Sequence, residues 1–176
     1  MGRSALAFVL AAFAMACTST GTHDIKNERV VGPADREEIR ELISLYSHAL
    51  DAGNLAGWTR LFTEDAGIET ANVGSPKGRA ALLQWAEERV ASRNPEWQVR
   101  HFVFNTLISP ISADLVYARS MLLYTRQDVG KPLSAEVLLT GVYEDEIRRT
   151  PEGWQFARRK MELALPLDSR YVRAGK

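Results

Sequence analysis

Residues 97–108, WQVRHFVFNTLI, decide the fold, because they form the first long stretch rich in aromatic and β-branched residues. That composition predicts a β-strand. Three further strands are predicted at 115–126, 133–148 and 154–165, with a tight connection at 110–114 and glycine- or proline-containing turns later. The second half of the chain therefore predicts a meander of long antiparallel strands.

The residues before this meander have helical spacing. Apolar residues recur at intervals of three and four from about residue 36 to residue 51, which predicts a helix with one apolar face. Asp35 is the predicted N-cap, and Glu38 stands three residues later, at the spacing of a capping box. Gly53 can end the helix in the left-handed conformation.

Shorter elements connect this helix to the meander. Asn54 can cap a short second helix, residues 63–65 predict a turn, residues 67–73 predict a short strand, and residues 79–92 predict a third helix. Helices followed by strands predict an α+β fold, a cone-shaped barrel with three N-terminal helices packed on a curved, mostly antiparallel sheet. A cone of this kind makes a pocket for a small molecule.

The composition excludes several classes of function. The chain has 176 residues with 22 basic and 22 acidic side chains, so we expect no strongly basic surface and no nucleic-acid partner. Cys17 is the only cysteine, which excludes an intrachain disulfide and a cysteine zinc site. With three histidines in the chain, the sequence predicts neither a metal site nor a cofactor.

The amino terminus predicts export. Residues 5–16, ALAFVLAAFAMA, form an uncharged apolar run that is too short to span a bilayer but fits a signal peptide. The run ends at Cys17 in an order that resembles a bacterial lipobox, which implies lipidation of this cysteine. Simple cleavage after Ala16 is the alternative. We expect a cell-envelope protein, on the periplasmic side in a Gram-negative host, that touches the membrane only through a lipid anchor.

Four segments follow from these patterns. The signal peptide is predicted at 1–16, and the lipidated cysteine and a polar tether at 17–34. The folded domain is predicted at 35–165, and a C-terminal tail at 166–176.

His101 is the first residue that could carry chemistry. It lies near the start of its predicted strand, with Asn105 on the same face by the period of two. Imidazole is the side chain best suited to proton transfer near neutral pH. The alternative is a structural histidine at the edge of the sheet.

Asp51 is the second such residue, because it ends the first predicted helix. A carboxylate there faces the negative end of the helix dipole, which costs roughly 0.3–1 kcal/mol unless another group compensates. An imidazolium would compensate, as would hydrogen bonds to the turn at 52–54 or the nearby His48.

The order of several short segments resembles the SnoaL-like branch of the nuclear-transport-factor-2-like superfamily over residues 35–165. The segments are YSHALDAGN at 46–54, Trp58, LFTEDA at 61–66, RHFVFNT at 100–106, GVYEDE at 141–146, GWQF at 153–156 and Arg158-Arg159. That superfamily includes scytalone dehydratase, hexachlorocyclohexane dehydrochlorinase, polyketide cyclases, ketosteroid isomerase and members without a known reaction. Fold alone therefore does not assign the function.

The resemblance implies roles for individual residues. In the dehydratase and dehydrochlorinase branches, an aspartate at the end of the first helix and a histidine on the strand after the third helix form a dyad, and Asp51 and His101 match both positions. His101 would remove a proton while Asp51 orients the ring. Arg159 matches an active-site arginine of the dehydrochlorinase branch, although a solvated cationic row at 158–160 is the alternative reading.

The chain also departs from both branches. Tyr46 stands where the dehydrochlorinase has a lysine, and Tyr124 falls near the second histidine of scytalone dehydratase. The asparagine of that dehydratase has no equivalent near Thr140 and Gly141. These departures argue against both specific reactions. A carboxylate base is the remaining option in this class, with nothing to choose among Glu136, Glu144 and Glu162.

The predicted function is binding of a small, mostly apolar or aromatic molecule, with His101 and Asp51 as a cofactor-independent lyase or isomerase pair. The predicted contacts to a substrate oxygen are Tyr46, Asn105, Tyr124 and Arg159. The alternative is a non-catalytic ligand-binding or assembly module. The tryptophans are predicted to pack in the core or in a dimer, and the resemblance implies a homodimer through the outer face of the sheet.

Overall fold

The computed structural model describes residues 30–71, 73–131 and 135–163. The predicted signal peptide, Cys17 and the predicted tail lie outside the described residues. Within the described ranges, the chain forms three helices and five strands in the following order: α1 Pro33–Asp51, α2 Leu55–Thr59, β1 Phe62–Thr70, α3 Arg79–Ala91, β2 Trp97–Ser112, β3 Leu115–Asp128, β4 Glu136–Thr150 and β5 Gly153–Leu163.

The five strands form one sheet in the order β1-β5-β4-β3-β2. Strands β2 to β5 pair antiparallel with their neighbours, whereas β1 pairs parallel with β5. The predicted α+β class and the mostly antiparallel sheet are confirmed. Side chains of α1, α2 and α3 pack on the inner side of the sheet in a single apolar core. None of the helices formed by the described residues is long and apolar enough to cross a membrane.

Helix α1 begins earlier than the sequence pattern indicates. Gly32 is its N-cap and Pro33 its first residue, a position where the missing N–H of proline costs no hydrogen bond. Asp35 therefore stands in the first turn, and its carboxylate accepts a hydrogen bond from the Gly32 N–H at 3.0 Å. Glu38 accepts from the backbone N–H of Trp154 instead, which attaches α1 to the start of β5.

One predicted turn, and the first part of the predicted connection at 110–114, are strand in the structure, while residues 113–114 form a turn as expected. Residues 63–65 lie inside β1, at an irregularity of the β1–β5 register between Phe62 and Gly67. They resemble a turn in sequence because Glu64 and Asp65 are exposed there. Pro110 lies within β2, which tolerates proline because it is the edge strand of the sheet.

Candidate active site

Asp51 and His101 form a hydrogen-bonded pair between the end of α1 and the start of β2. Oδ1 of Asp51 lies 2.6 Å from Nδ1 of the imidazole, and Oδ2 accepts the backbone N–H of His101 at 2.9 Å. One carboxylate thus holds both the strand and the ring. A carboxylate can only accept here, so Nδ1 carries the proton and Nε2 is left as the basic nitrogen.

A nearby cation offsets the unfavourable interaction between the Asp51 carboxylate and the negative end of the α1 dipole. The guanidinium of Arg93 donates to the carbonyl of Leu50 at 3.2 Å, which places a cation beside the last turn of α1. Tyr124 on β3 stands opposite His101, and the two ring centroids are 4.5 Å apart. Burial raises the pKa of Tyr124, and the nearby Arg93 partly offsets this rise. The imidazole is therefore fixed on one edge by Asp51 and on one face by a neutral phenol.

The imidazole of His101 belongs to the wall of a cavity of about 320 Å³ between the helices and the sheet. Most of the surface of its walls is apolar, and ten of the twenty lining residues are apolar: Leu50, Ile68, Val73, Trp85, Trp97, Val99, Leu122, Leu138, Leu139 and Met161. The polar lining residues are Tyr46, Thr70, Arg89, Ser92, Arg93, Asn94, His101, Tyr124, Tyr143 and Arg159. Apolar walls with a few polar groups are the usual composition of a small-molecule site.

The buried end of the cavity is built around an ion pair. Arg159 on β5 donates through Nε and Nη2 to the carboxylate of Asp145 on β4 at 2.8 and 2.7 Å, and both side chains are fully buried. The guanidinium carbon lies 3.9 Å from the ring centroid of Tyr46, and 4.2 Å from those of Tyr143 and Phe156. These rings hold the guanidinium plane in place.

One donor of this buried arginine is left over. Nη1 of Arg159 has no hydrogen-bond partner among the described residues. A buried donor without a partner costs about 1–3 kcal/mol, which the ion pair with Asp145 and the surrounding rings must offset. Burial also raises the pKa of Tyr46 and Tyr143, so both phenols stay protonated. This end of the cavity is therefore closed by neutral phenols and by a cation that Asp145 neutralises.

The structure brings most of the predicted site residues together. Tyr46, Tyr124, His101 and Arg159 all line the cavity, and Asp51 lies behind His101. The alternative prediction for residues 158–160 is a solvated cationic row. Arg158 and Lys160 are partly exposed, but Arg159 between them is fully buried.

Asn105 is the predicted contact that the structure places elsewhere. The pairing of β2 with β3 is irregular between Phe104 and Leu107, and Asn105 has a positive φ of 53° within this bulge. A bulge adds one residue to the strand and shifts the alternation of faces beyond it. The side chain of Asn105 is exposed and its Nδ2 contacts the sulfur of Met121, outside the cavity lining.

Sequence reasoning missed several residues of the site. Trp85 and Trp97 line the cavity, whereas the sequence predicts that the tryptophans pack in the core or in a dimer. Spacing could have found them: Trp97 precedes His101 by four residues on one strand face, and Trp85 precedes Arg89 by one helical turn. Asp145 lies between Glu144 and Glu146 in sequence, and an acidic run of this kind predicts a solvent-exposed segment. Only the alternation of faces along the strand indicates that Asp145 points inward while its two neighbours point outward.

The remaining acidic residues considered as bases lie outside the lining of the cavity. Glu136 is held by Arg126, Glu144 lies 3.8 Å from Arg119, and Glu162 is bonded to Lys160. Among the described residues, no group of three or more His, Cys, Asp and Glu side chains is placed to hold a metal ion.

Residues 33–160 match the family model of the SnoaL-like domain. The chain belongs to this family. This SnoaL-like protein is similar to an uncharacterised protein of Mycobacterium tuberculosis. The two are 30% identical over 128 residues, which are 72% of this chain and 83% of the relative. The resemblance inferred from short segments is thereby confirmed at the level of the family.

Solved structures share the fold of this SnoaL-like domain. An NTF2-like protein with a cystatin-like fold from Novosphingobium aromaticivorans has a TM-score of 0.66 and 25% identity, over 81% of this chain and 90% of that chain. A candidate scytalone dehydratase from the same species has a TM-score of 0.65 and 23% identity, over 75% and 85% of the two chains. These likenesses establish the cone architecture.

The buried ion pair generates a prediction about stability. We expect Asp145→Leu alone to lower the free energy of unfolding by about 3–5 kcal/mol, because it leaves the Arg159 cation buried without a counter-charge. Adding Arg159→Met should recover much of that loss, since no unpaired charge then remains. Urea unfolding of the two single variants and the double variant measures both effects. A double variant at least as unstable as the sum of the single variants would contradict this account.

Proposed function

We propose that this SnoaL-like domain binds a small, mostly apolar molecule in its cavity and removes a proton from it with His101, as a cofactor-independent lyase or isomerase. The observation that carries the proposal is the 2.6 Å contact between Asp51 and Nδ1 of an imidazole at the cavity wall. A candidate scytalone dehydratase shares the fold of this domain.

The first step would be proton removal by Nε2 of His101. Nδ1 keeps its proton and donates a hydrogen bond to Asp51, so the imidazolium that forms is stabilised by an adjacent carboxylate. The second Asp51 oxygen is already engaged by the backbone N–H of His101, so the carboxylate needs no rearrangement during this step. General base catalysis of this kind contributes roughly 10²–10⁴-fold to a rate.

The electron pair released from the C–H bond must be held on the substrate. With a carbonyl beside the reacting carbon, the pair moves onto the carbonyl oxygen as an enolate. Tyr124 lines the cavity opposite His101, and its neutral phenol is a donor suited to that oxygen. In an elimination, the enolate reforms the carbonyl, a β-hydroxyl leaves and takes the proton from the imidazolium, and water is released. In an isomerisation, the imidazolium returns the proton to another carbon.

We also propose that the chain is exported and anchored through lipid on Cys17. The support is the apolar run at 5–16, which ends at the chain's single cysteine. The polar residues 18–29 would then separate the anchor from α1, which begins at Pro33.

A homodimer through the outer face of the sheet is the third part of the proposal. Phe102, Phe104, Met121 and Val137 are between 43% and 60% exposed, on the side of β2, β3 and β4 away from the core. Exposed apolar side chains grouped on one sheet face are typical of an interface. A second copy would cover them and also shield the edge strand β2.

The catalytic prediction uses 4-hydroxy-4-phenylbutan-2-one as a probe, because loss of water from it gives a conjugated ketone that absorbs in the ultraviolet. We expect the protein to accelerate this elimination and His101→Ala to reduce the rate at least about 100-fold. Asp51→Asn should reduce the rate while leaving probe binding largely intact.

His48→Ala is the matched control, since His48 is an exposed histidine on the same helix as Asp51. It should retain the full rate. A rate that is equal in the parent protein, His101→Ala and buffer, with the probe bound, would contradict the catalytic proposal and leave a ligand-binding module.

The anchoring prediction concerns Cys17. When the full chain is expressed in a Gram-negative host fed radiolabelled palmitate, we expect label on the protein and membrane fractionation. Cys17→Ser should lose both. Release of an unlabelled chain that begins after Ala16 would contradict lipidation and support simple cleavage.

The dimer prediction concerns Phe104. In sedimentation experiments on residues 18–176, we expect a dimer for the parent sequence and a monomer for Phe104→Glu, because a charge on this face would be buried at the interface. Leu45→Glu is the control, since Leu45 is similarly exposed but lies on α1. A monomeric parent chain would contradict the proposal.

A further inference from the structure

We infer that the molecule taken up by the cavity is an aromatic or polycyclic organic anion, with its carboxylate held by Arg89 and Arg93. This inference rests on the proposed function, because it names the class of the small apolar molecule. It starts from the two ends of the cavity, which differ in burial. Arg159 is fully buried, whereas Arg89 is exposed and Arg93 half-buried, so the latter pair marks the end near solvent.

The two arginines at the solvent end have no acidic partner. The guanidinium of Arg89 donates to the carbonyl of Val73 at 3.2 Å, and that of Arg93 donates to the carbonyl of Leu50. In the part of the chain that the structure describes, neither arginine forms an ion pair. Each contact engages one nitrogen of the five-donor guanidinium fork, which leaves further donors for a carboxylate.

The charges around the cavity leave a surplus at this end. The lining includes no Asp or Glu side chain among the described residues. Arg159 is neutralised by its bidentate contact with Asp145, and Asp51 lies behind His101. The three arginines of the lining and the two carboxylates behind it, those of Asp51 and Asp145, together carry one net positive charge. Both unpaired cations lie at the solvent end, where an anionic group would be attracted.

The space next to these arginines suits an aromatic body. Trp85 stands one helical turn before Arg89 on α3, and its indole N–H is already bonded to the carbonyl of Val73. Trp97 begins β2 and lines the same cavity. Trp85 is stacked on Trp58, and the guanidinium carbon of Arg89 lies 5.8 Å from its ring centroid. Arg126 lies over the ring of Trp97 at 4.3 Å. The two indoles are thus held in place, and their remaining surface would contact an apolar ring system while Arg89 and Arg93 bind a charged substituent on it.

The test compares two probes that differ in charge alone, 2-naphthylacetic acid and 2-naphthylacetamide. Calorimetry on the parent protein at low salt should show the acid binding at least about tenfold more tightly than the amide. Added salt should weaken binding of the acid and leave that of the amide nearly unchanged.

In the double variant Arg89→Gln, Arg93→Gln we expect the two probes to bind within about twofold of each other, because the acid loses its advantage. Retained binding of the amide shows that the cavity of this variant is intact. Arg60→Gln is the matched control, since Arg60 is exposed and bonds a backbone carbonyl far from the cavity lining. It should keep the preference of the parent protein.

The outcomes separate this inference from the proposal beneath it. Equal binding of acid and amide to the parent protein, or a preference that survives the double substitution, overturns the anionic class and leaves the apolar cavity standing. Binding of neither probe overturns both. The parent protein alone decides the first comparison, so the result does not depend on the folding of any variant.

Discussion

The ion pair between Arg159 and Asp145 is the interaction on which the interior of this domain depends. Removing both charges from water costs several kcal/mol for each ion, and the bidentate geometry offsets this cost only while both partners stay in place. The pair joins the central strand β4 to β5, and the ring of Tyr46 brings α1 onto the same guanidinium. The helix layer and the sheet therefore meet at the guanidinium of Arg159, which also shapes the buried end of the cavity.

Asp51 plays a comparable part at the other side of the cavity. Its two oxygens reach the backbone and the ring of His101, so one carboxylate fixes the end of α1 against the start of β2. The cavity thus lies between two carboxylate contacts that each join separate elements. His101 and Arg159 line the cavity, and each is oriented by a carboxylate that lies outside the lining. This arrangement leaves the two side chains little conformational freedom.

Much of this could be predicted from the sequence, and the failures have physical reasons. The change from helical spacing to β-rich composition predicted the class of fold, and the resemblance to the SnoaL-like family, which matches Asp51 and His101 to a dyad, predicted their contact. Asn105 was misplaced because a bulge is a feature of strand pairing, which one strand does not reveal. Asp145 was missed because acidic neighbours on the opposite face hide a buried carboxylate. The cavity role of Trp97 depends on which elements come to face it.

The parallel pairing of β1 with β5 has a consequence for the order of events during synthesis. In the described sheet, β1 has β5 as its only strand neighbour, with Phe62 opposite Phe156. The ribosome must therefore complete the last strand before the first can take its place, and the Arg159 pair forms no earlier. Contacts this distant in sequence are slow to form. The described sheet therefore stays open at this side until β5 has been made.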